Sequence, residues 1–128
     1  VIEQGLAAYL DADAGLTALI AGRLYPVVPP EAAIYPCLTY QVVVSEPEYD
    51  LRGVQSGKKT FQFDAWGTYS QCRSVAQALR DRLDTAHTTL SDGTRLMSAW
   101  RANEIDSFDG DSRLYRVMCE YELLFVEP

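Results

Sequence analysis

Gly53-Val-Gln-Ser-Gly57-Lys58-Lys59-Thr60 contains the residue types that cradle a phosphate: two glycines, two lysines and a hydroxyl. Such a loop requires four residues between its glycines and a helix behind it whose N-terminus faces the anion. Here three residues intervene, and the alternation from Lys59 onward predicts a strand. Nucleotide binding is therefore not expected. Asp106, Asp109 and Asp111 surround Gly110, yet they lack the alternating ligand order and distal glutamate of a calcium loop, so they read as a solvated hairpin tip. His87 is the sole histidine, placed at a predicted helix end, where a protonated imidazole would favour the last carbonyls. With no second histidine, no paired cysteines and no G-x-S-x-G elbow, it suggests neither a metal site nor a nucleophile's base. Eighteen acidic side chains always place some carboxylates together in space, which specifies no acid chemistry. No catalytic, cofactor-binding or metal-ligating residue is expected, and non-enzymatic function follows.

Cys37, Cys72 and Cys119 are odd in number and widely spaced, so they read as reduced, buried thiols rather than as a disulfide framework. Trp66, Trp100 and eight tyrosines could stack nucleobases, but stacking platforms work together with a basic groove. The formal charge of -7 disfavours such a groove and any broad duplex-binding surface. These aromatics are expected in core and interface roles. An acidic wall can still surround DNA and let it slide, although ordinary solubility explains the same charge.

The elements that must position these groups follow from periodicity. The 128 residues suit one domain over residues 1–128, and no apolar run approaches the ~20 residues of a membrane span. No signal segment opens the sequence, and a cytoplasmic product is expected. Ile2, Leu6, Tyr9 and Leu10 make one face of a first helix ending near Asp11. Asp13 caps a second helix carrying Leu16, Leu19 and Ile20, and Gly22 ends it. Pro26, Pro29, Pro30 and Pro36 predict an extended, largely unpaired run from Arg23 to Tyr35, with strand structure beginning only at Cys37 and ending before Pro47. A long loop from Glu46 to Lys58 then leads to a strand from Lys59 to Trp66. Its apolar Tyr49, Leu51 and Val54 either meet neighbouring subunits or pack over their own sheet. Thr68 and Gln71 form a capping-box signature for the main helix, Ser70 to Ala86. A third strand from Leu96 to Asn103, a turn at Asp109 to Asp111 and a long closing strand from Arg113 to Val126 complete the order. That strand exceeds the usual length, so it either bends toward another subunit or runs as one regular strand. The expected fold is α+β: an antiparallel four-stranded sheet packed against one long helix, with an N-terminal helical segment.

Three segments carry a resemblance. They are L-T-A-L-I-A-G-R-L-Y-P at Leu16 to Pro26, Y-P-x-L-T-Y-Q at Tyr35 to Gln41, and L-Y-R-V at Leu114 to Val117. In this order and spacing the chain resembles the tail completion (tail terminator) proteins of long-tailed double-stranded DNA phages and related prophages. The resemblance implies a structural protein of the virion tail and neck, assembled in the bacterial cytoplasm. It would form a homo-oligomeric ring, usually hexameric, that caps the tail tube, ends its polymerisation and provides the surface for head-tail joining. Its implied partners are the tail tube protein and the connector or neck proteins, with DNA passing through the ring without sequence-specific binding. Together with expected exposure, the resemblance implies subunit or partner contacts at Tyr49, Asp50, Leu51 and Arg52 in the long loop, and at Phe108 and Arg113 around the last turn. The same pattern fits a neck adaptor that binds the portal complex. A small ligand-binding or enzymatic α+β domain is a further alternative, for which no constellation speaks.

Overall fold

The computed structural model describes residues 1–50, 53–84 and 86–128. Its helices are α1 (Ile2–Asp11), α2 (Ala14–Ile20) and α3 (Tyr69–Leu83). Its strands are β1 (Leu24–Pro26), β2 (Cys37–Asp50), β3 (Gly53–Gly67), β4 (Thr88–Thr89), β5 (Arg95–Asp109) and β6 (Leu114–Val126).

Local chemistry sets the helix boundaries. The Asp13 carboxylate accepts from the Leu16 amide at 2.8 Å and opens α2, and Ala21 (φ 50) and Gly22 (φ 79) close it in left-handed conformations. Thr68 and Gln71 form the capping box expected of them: the Thr68 hydroxyl accepts from the Gln71 amide at 3.4 Å, and the Gln71 side chain accepts from the Thr68 amide at 3.0 Å. α3 stops at Leu83, short of the expected Ala86.

The expected sheet is overturned. Instead of four antiparallel strands on one long helix, six strands form a mixed sheet in the order β1-β2-β3-β6-β5-β4, curved into a half-barrel. The two additional strands are short and lie at the edges. β1 runs parallel to β2, with Leu24 opposite Leu38, and the Leu38 amide donates to the Arg23 carbonyl at 3.0 Å. Part of the supposedly unpaired run is thus a strand, because Pro26 at an edge need not donate to a ladder. β4 contributes only Thr88 and Thr89, opposite Leu96 and Arg95, too few residues to show any period.

The long loop from Glu46 to Lys58 is also overturned. Glu46 pairs with Lys58, Pro47 with Gly57, Glu48 with Ser56, Tyr49 with Val54 and Asp50 with Gly53, so β2 and β3 run nearly to the tip. Gly57 looked like loop punctuation, but a Cβ there would lie 3.1 Å from the Phe125 ring. It marks a close approach inside a strand. β5 likewise continues to Asp109, beyond the expected Asn103.

All three helices contribute to the same core on one face of the sheet. Leu6 and Leu10 of α1, Leu16 and Ile20 of α2, and Val75 and Leu79 of α3 join Phe61, Phe63 and Tyr121 from the strands. Phe63 meets the Tyr121 ring edge-on at 5.9 Å between centroids. α1 is tied to its neighbours by polar contacts as well: Lys59 reaches Glu3 at 2.6 Å, and the Arg82 guanidinium stacks 3.6 Å from the Tyr9 ring while donating to the Tyr9 carbonyl. The three cysteines occupy the buried positions expected of them.

Candidate assembly surfaces

Phe108 is the penultimate residue of β5 and Tyr115 the second of β6, and their register places them opposite one another. Their rings lie 4.8 Å apart, and Tyr69 at the start of α3 packs edge-on against Tyr115 at 5.6 Å. Arg113, in a left-handed conformation at the turn (φ 59), holds its guanidinium 5.9 Å from the Phe108 ring. The three aromatics are exposed by 47% (Phe108), 40% (Tyr115) and 47% (Tyr69), which makes this hairpin end an aromatic and cationic patch of the kind that anchors interfaces. Phe108 and Arg113 thus lie together at the last turn. Tyr115 shares the parity of Val117 and Cys119, which by strand alternation predicts a core position. It emerges into solvent because α3 begins only at Tyr69 and leaves this end of the sheet uncovered.

Polar contacts hold the patch in place. The Tyr69 hydroxyl donates to Asp106 at 3.1 Å, which raises the phenol's pKa because the carboxylate disfavours phenolate. Arg73 bridges Asp106 at 3.1 Å and Glu104 at 3.3 Å. These pairs are exposed, so their value is geometric more than energetic. Asp109 closes the turn, accepting from the Ser112 hydroxyl at 2.7 Å and the Asp111 amide at 3.2 Å, and these bonds hold its carboxyl below the usual range.

The other expected contacts lie elsewhere. Tyr49 and Asp50 fall in the terminal ladder of β2 with β3, opposite Val54 and Gly53, while Leu51 and Arg52 lie outside the described residues. β3 and β6 run antiparallel, so the start of β3 and the start of β6 sit at opposite ends of the sheet. With β3 at 15 residues, these two ends are on the order of 45 Å apart. Tyr49 and Asp50 thus lie in the ladder at one end of the sheet, and Phe108 and Arg113 at the other.

A third surface went unnoticed in the sequence. On the face of the sheet away from the helices, Asp64 is buried, with 5% exposure. Gln62 donates to one of its oxygens at 3.0 Å, Arg116 stands 3.9 Å from the other, and that second oxygen has no hydrogen-bond partner among the described residues. Burial raises the Asp64 pKa, with Gln62 and Arg116 opposing it. Arg116 also stacks 5.3 Å from Trp66, whose indole N–H donates to Thr39 at 3.0 Å. Its sequence signal, an aspartate among Phe63, Ala65 and Trp66, is the same as that of an ordinary solvent-facing position.

The family model described as Tail completion protein gp17 matches residues 4–125. Among solved structures, a chain of the "Virion of native gene transfer agent (GTA) particle" superposes with a TM-score of 0.77 at 20% identity, covering 98% of each chain. At that identity the likeness establishes the shared fold. No curated protein matches.

Proposed function

Because the chain belongs to the tail completion protein gp17 family and is a structural protein of the virion tail and neck, we propose that it is the tail terminator. In this reading it forms a ring, hexameric by family resemblance, which caps the tail tube, ends tube polymerisation and presents the head-joining surface. It acts by shape and interface chemistry, without making or breaking bonds. The observation that carries this reading is that the β2–β3 ladder and the β5–β6 ladder end at opposite ends of one sheet. Copies arranged side by side around an axis would gather each end into its own rim. One rim can complement the tube end while the other, differing in chemistry, refuses a further tube subunit. The net charge of -7 is compatible with DNA passing through such a ring without specific binding.

The test is to add purified protein to growing tail tubes and image them. Tubes should stop growing and carry an annulus at one end, and Phe108→Asp should fold normally yet lose this capping. Continued tube growth with no end-bound annulus would overturn the terminator role. Binding to tailless heads in place of tube ends would assign the chain to the neck instead.

A further inference from the structure

Among the described residues, long parts of both sheet edges lack a partner strand. β1 covers β2 only at residues 38–40, and β4 covers β5 only at residues 95–96. Residues 41–50 of β2 and 97–109 of β5 thus have a ladder on one side alone. Exposure agrees, with Val43 and Val44 on β2 and Ile105 and Phe108 on β5 all open to solvent. An unpaired edge of this length templates pairing with another chain, and single-chain proteins blunt it with proline, charge or brevity. On β2 the blunting residue is Pro47, which leaves residues 41–46 able to pair. On β5 the Glu104 amide is held by its neighbour Asn103 at 2.9 Å.

The two bare edges suit one another. β2 is antiparallel to β3, β3 to β6 and β6 to β5, so β2 and β5 run in opposite directions. A second copy set beside the first in the same orientation brings its β5 antiparallel to β2, the better-bonded geometry. The bare part of β2 lies toward the end where β5 starts, and the bare part of β5 toward the end where β2 starts. The neighbour must therefore slide along the strands, which is the stagger that closing a sheet requires. Charge points the same way. Residues 41–45, Gln-Val-Val-Val-Ser, are uncharged, whereas the bare part of β5 carries an acidic excess, Glu104, Asp106 and Asp109 against Arg101. Pairing β5 with β5 about a two-fold axis would bring two strands with this same excess together and leave every β2 edge open.

We infer that residues 41–46 of β2 pair with a stretch of matching length within residues 97–109 of β5 of the next copy, joining successive half-barrels into one continuous sheet. This rests on the ring reading above and specifies how its subunits hold together.

The test combines Ser45→Cys with Ala102→Cys, Ile105→Cys or Ser107→Cys in turn in the full chain, followed by mild oxidation, denaturing gels and native mass. The native thiols stay silent because burial pushes Cys37 and Cys72 up to about 11 and Cys119 up to about 12. At least one double variant should give a ladder ending at the subunit number of the ring, while single variants stay uncrosslinked. Crosslinked dimers of a single variant would show two-fold pairing and overturn the inference. A ring by native mass with no ladder in any double variant would overturn it while sparing the ring. Absence of oligomers at high concentration would defeat both. Amide exchange on the unmodified protein gives an independent reading: the open-edge amides within residues 42–46, and those of a stretch of similar length within 98–109, should slow at least tenfold on assembly, and unchanged rates in an assembled ring would defeat edge pairing.

Discussion

On the helix-covered face of the sheet, Phe61, Phe63, Tyr121 and Leu123 are fully buried, while the same strands send Thr60, Gln62, Asp64, Glu120 and Glu122 to the opposite face. The covered face supplies the hydrophobic driving force that folds the chain. The bare face is polar, yet Thr60 and Asp64 are buried within it, shielded by neighbouring side chains rather than by a helix. Desolvating a carboxylate with one oxygen that accepts no hydrogen bond among the described residues costs stability, so the bare face is not optimised for the isolated subunit. The contrast teaches that burial alone does not mark a folding core. What marks it is burial together with apolar neighbours and satisfied polar atoms.

The largest test of this contrast is truncation on each face. Phe63→Ala should cost about 3–5 kcal/mol in urea unfolding, since a fully buried ring leaves a cavity. Met118→Ala, half-buried on the bare face beside Asp64, should cost about 1 kcal/mol or less, and equal losses would break the distinction. The next test concerns pH. Because burial raises the folded-state pKa of Asp64, below the usual carboxylate range it is protonated in both folded and unfolded chains and costs nothing. As pH rises through the ordinary aspartate range to the raised folded value, the unfolded chain ionises more readily and wild-type stability falls. Asp64→Asn should therefore be more stable than wild type at pH 7, with the gain vanishing in acid, as read by melting temperature across pH. A gain that persists unchanged into acid would mean that ionisation is not the cause. The smallest effect belongs to Tyr121, the exception on the covered face, whose buried hydroxyl has no hydrogen-bond partner among the described residues. Tyr121→Phe should be neutral or stabilising by up to about 1 kcal/mol in the same unfolding assay. A clear loss would reveal a partner for that oxygen.

The mixture of legible and hidden features follows the range of the forces involved. Thr68 and Gln71, Asp13 and Leu16, and the alternation of Val117, Cys119, Tyr121 and Leu123 were readable because caps and strand parity are settled within a few residues. β1 and β4 were hidden because edge strands of two or three residues show no period and tolerate proline. Gly57 misled because glycine signals either a turn or a close approach, and only the Phe125 ring opposite shows which. The position of Phe108 and Arg113 around the last turn was readable from the turn residues Asp109 to Asp111, whereas the packing of Tyr69 and the burial of Asp64 depend on contacts far along the chain.

Sequence by itself determined the helix caps at Asp13 and Thr68, the alternation that turns Val117, Cys119, Tyr121 and Leu123 to the core, and that the thiols are buried, since these depend on local hydrogen bonding and the fixed periods of helix and strand. Only the tertiary structure decided that two hairpins point in opposite directions, that Tyr115 emerges from the core while Asp64 is enclosed, and that both sheet edges remain open. Those outcomes depend on strand order and register across residues distant in the chain, where pairing partners rather than neighbours set the geometry.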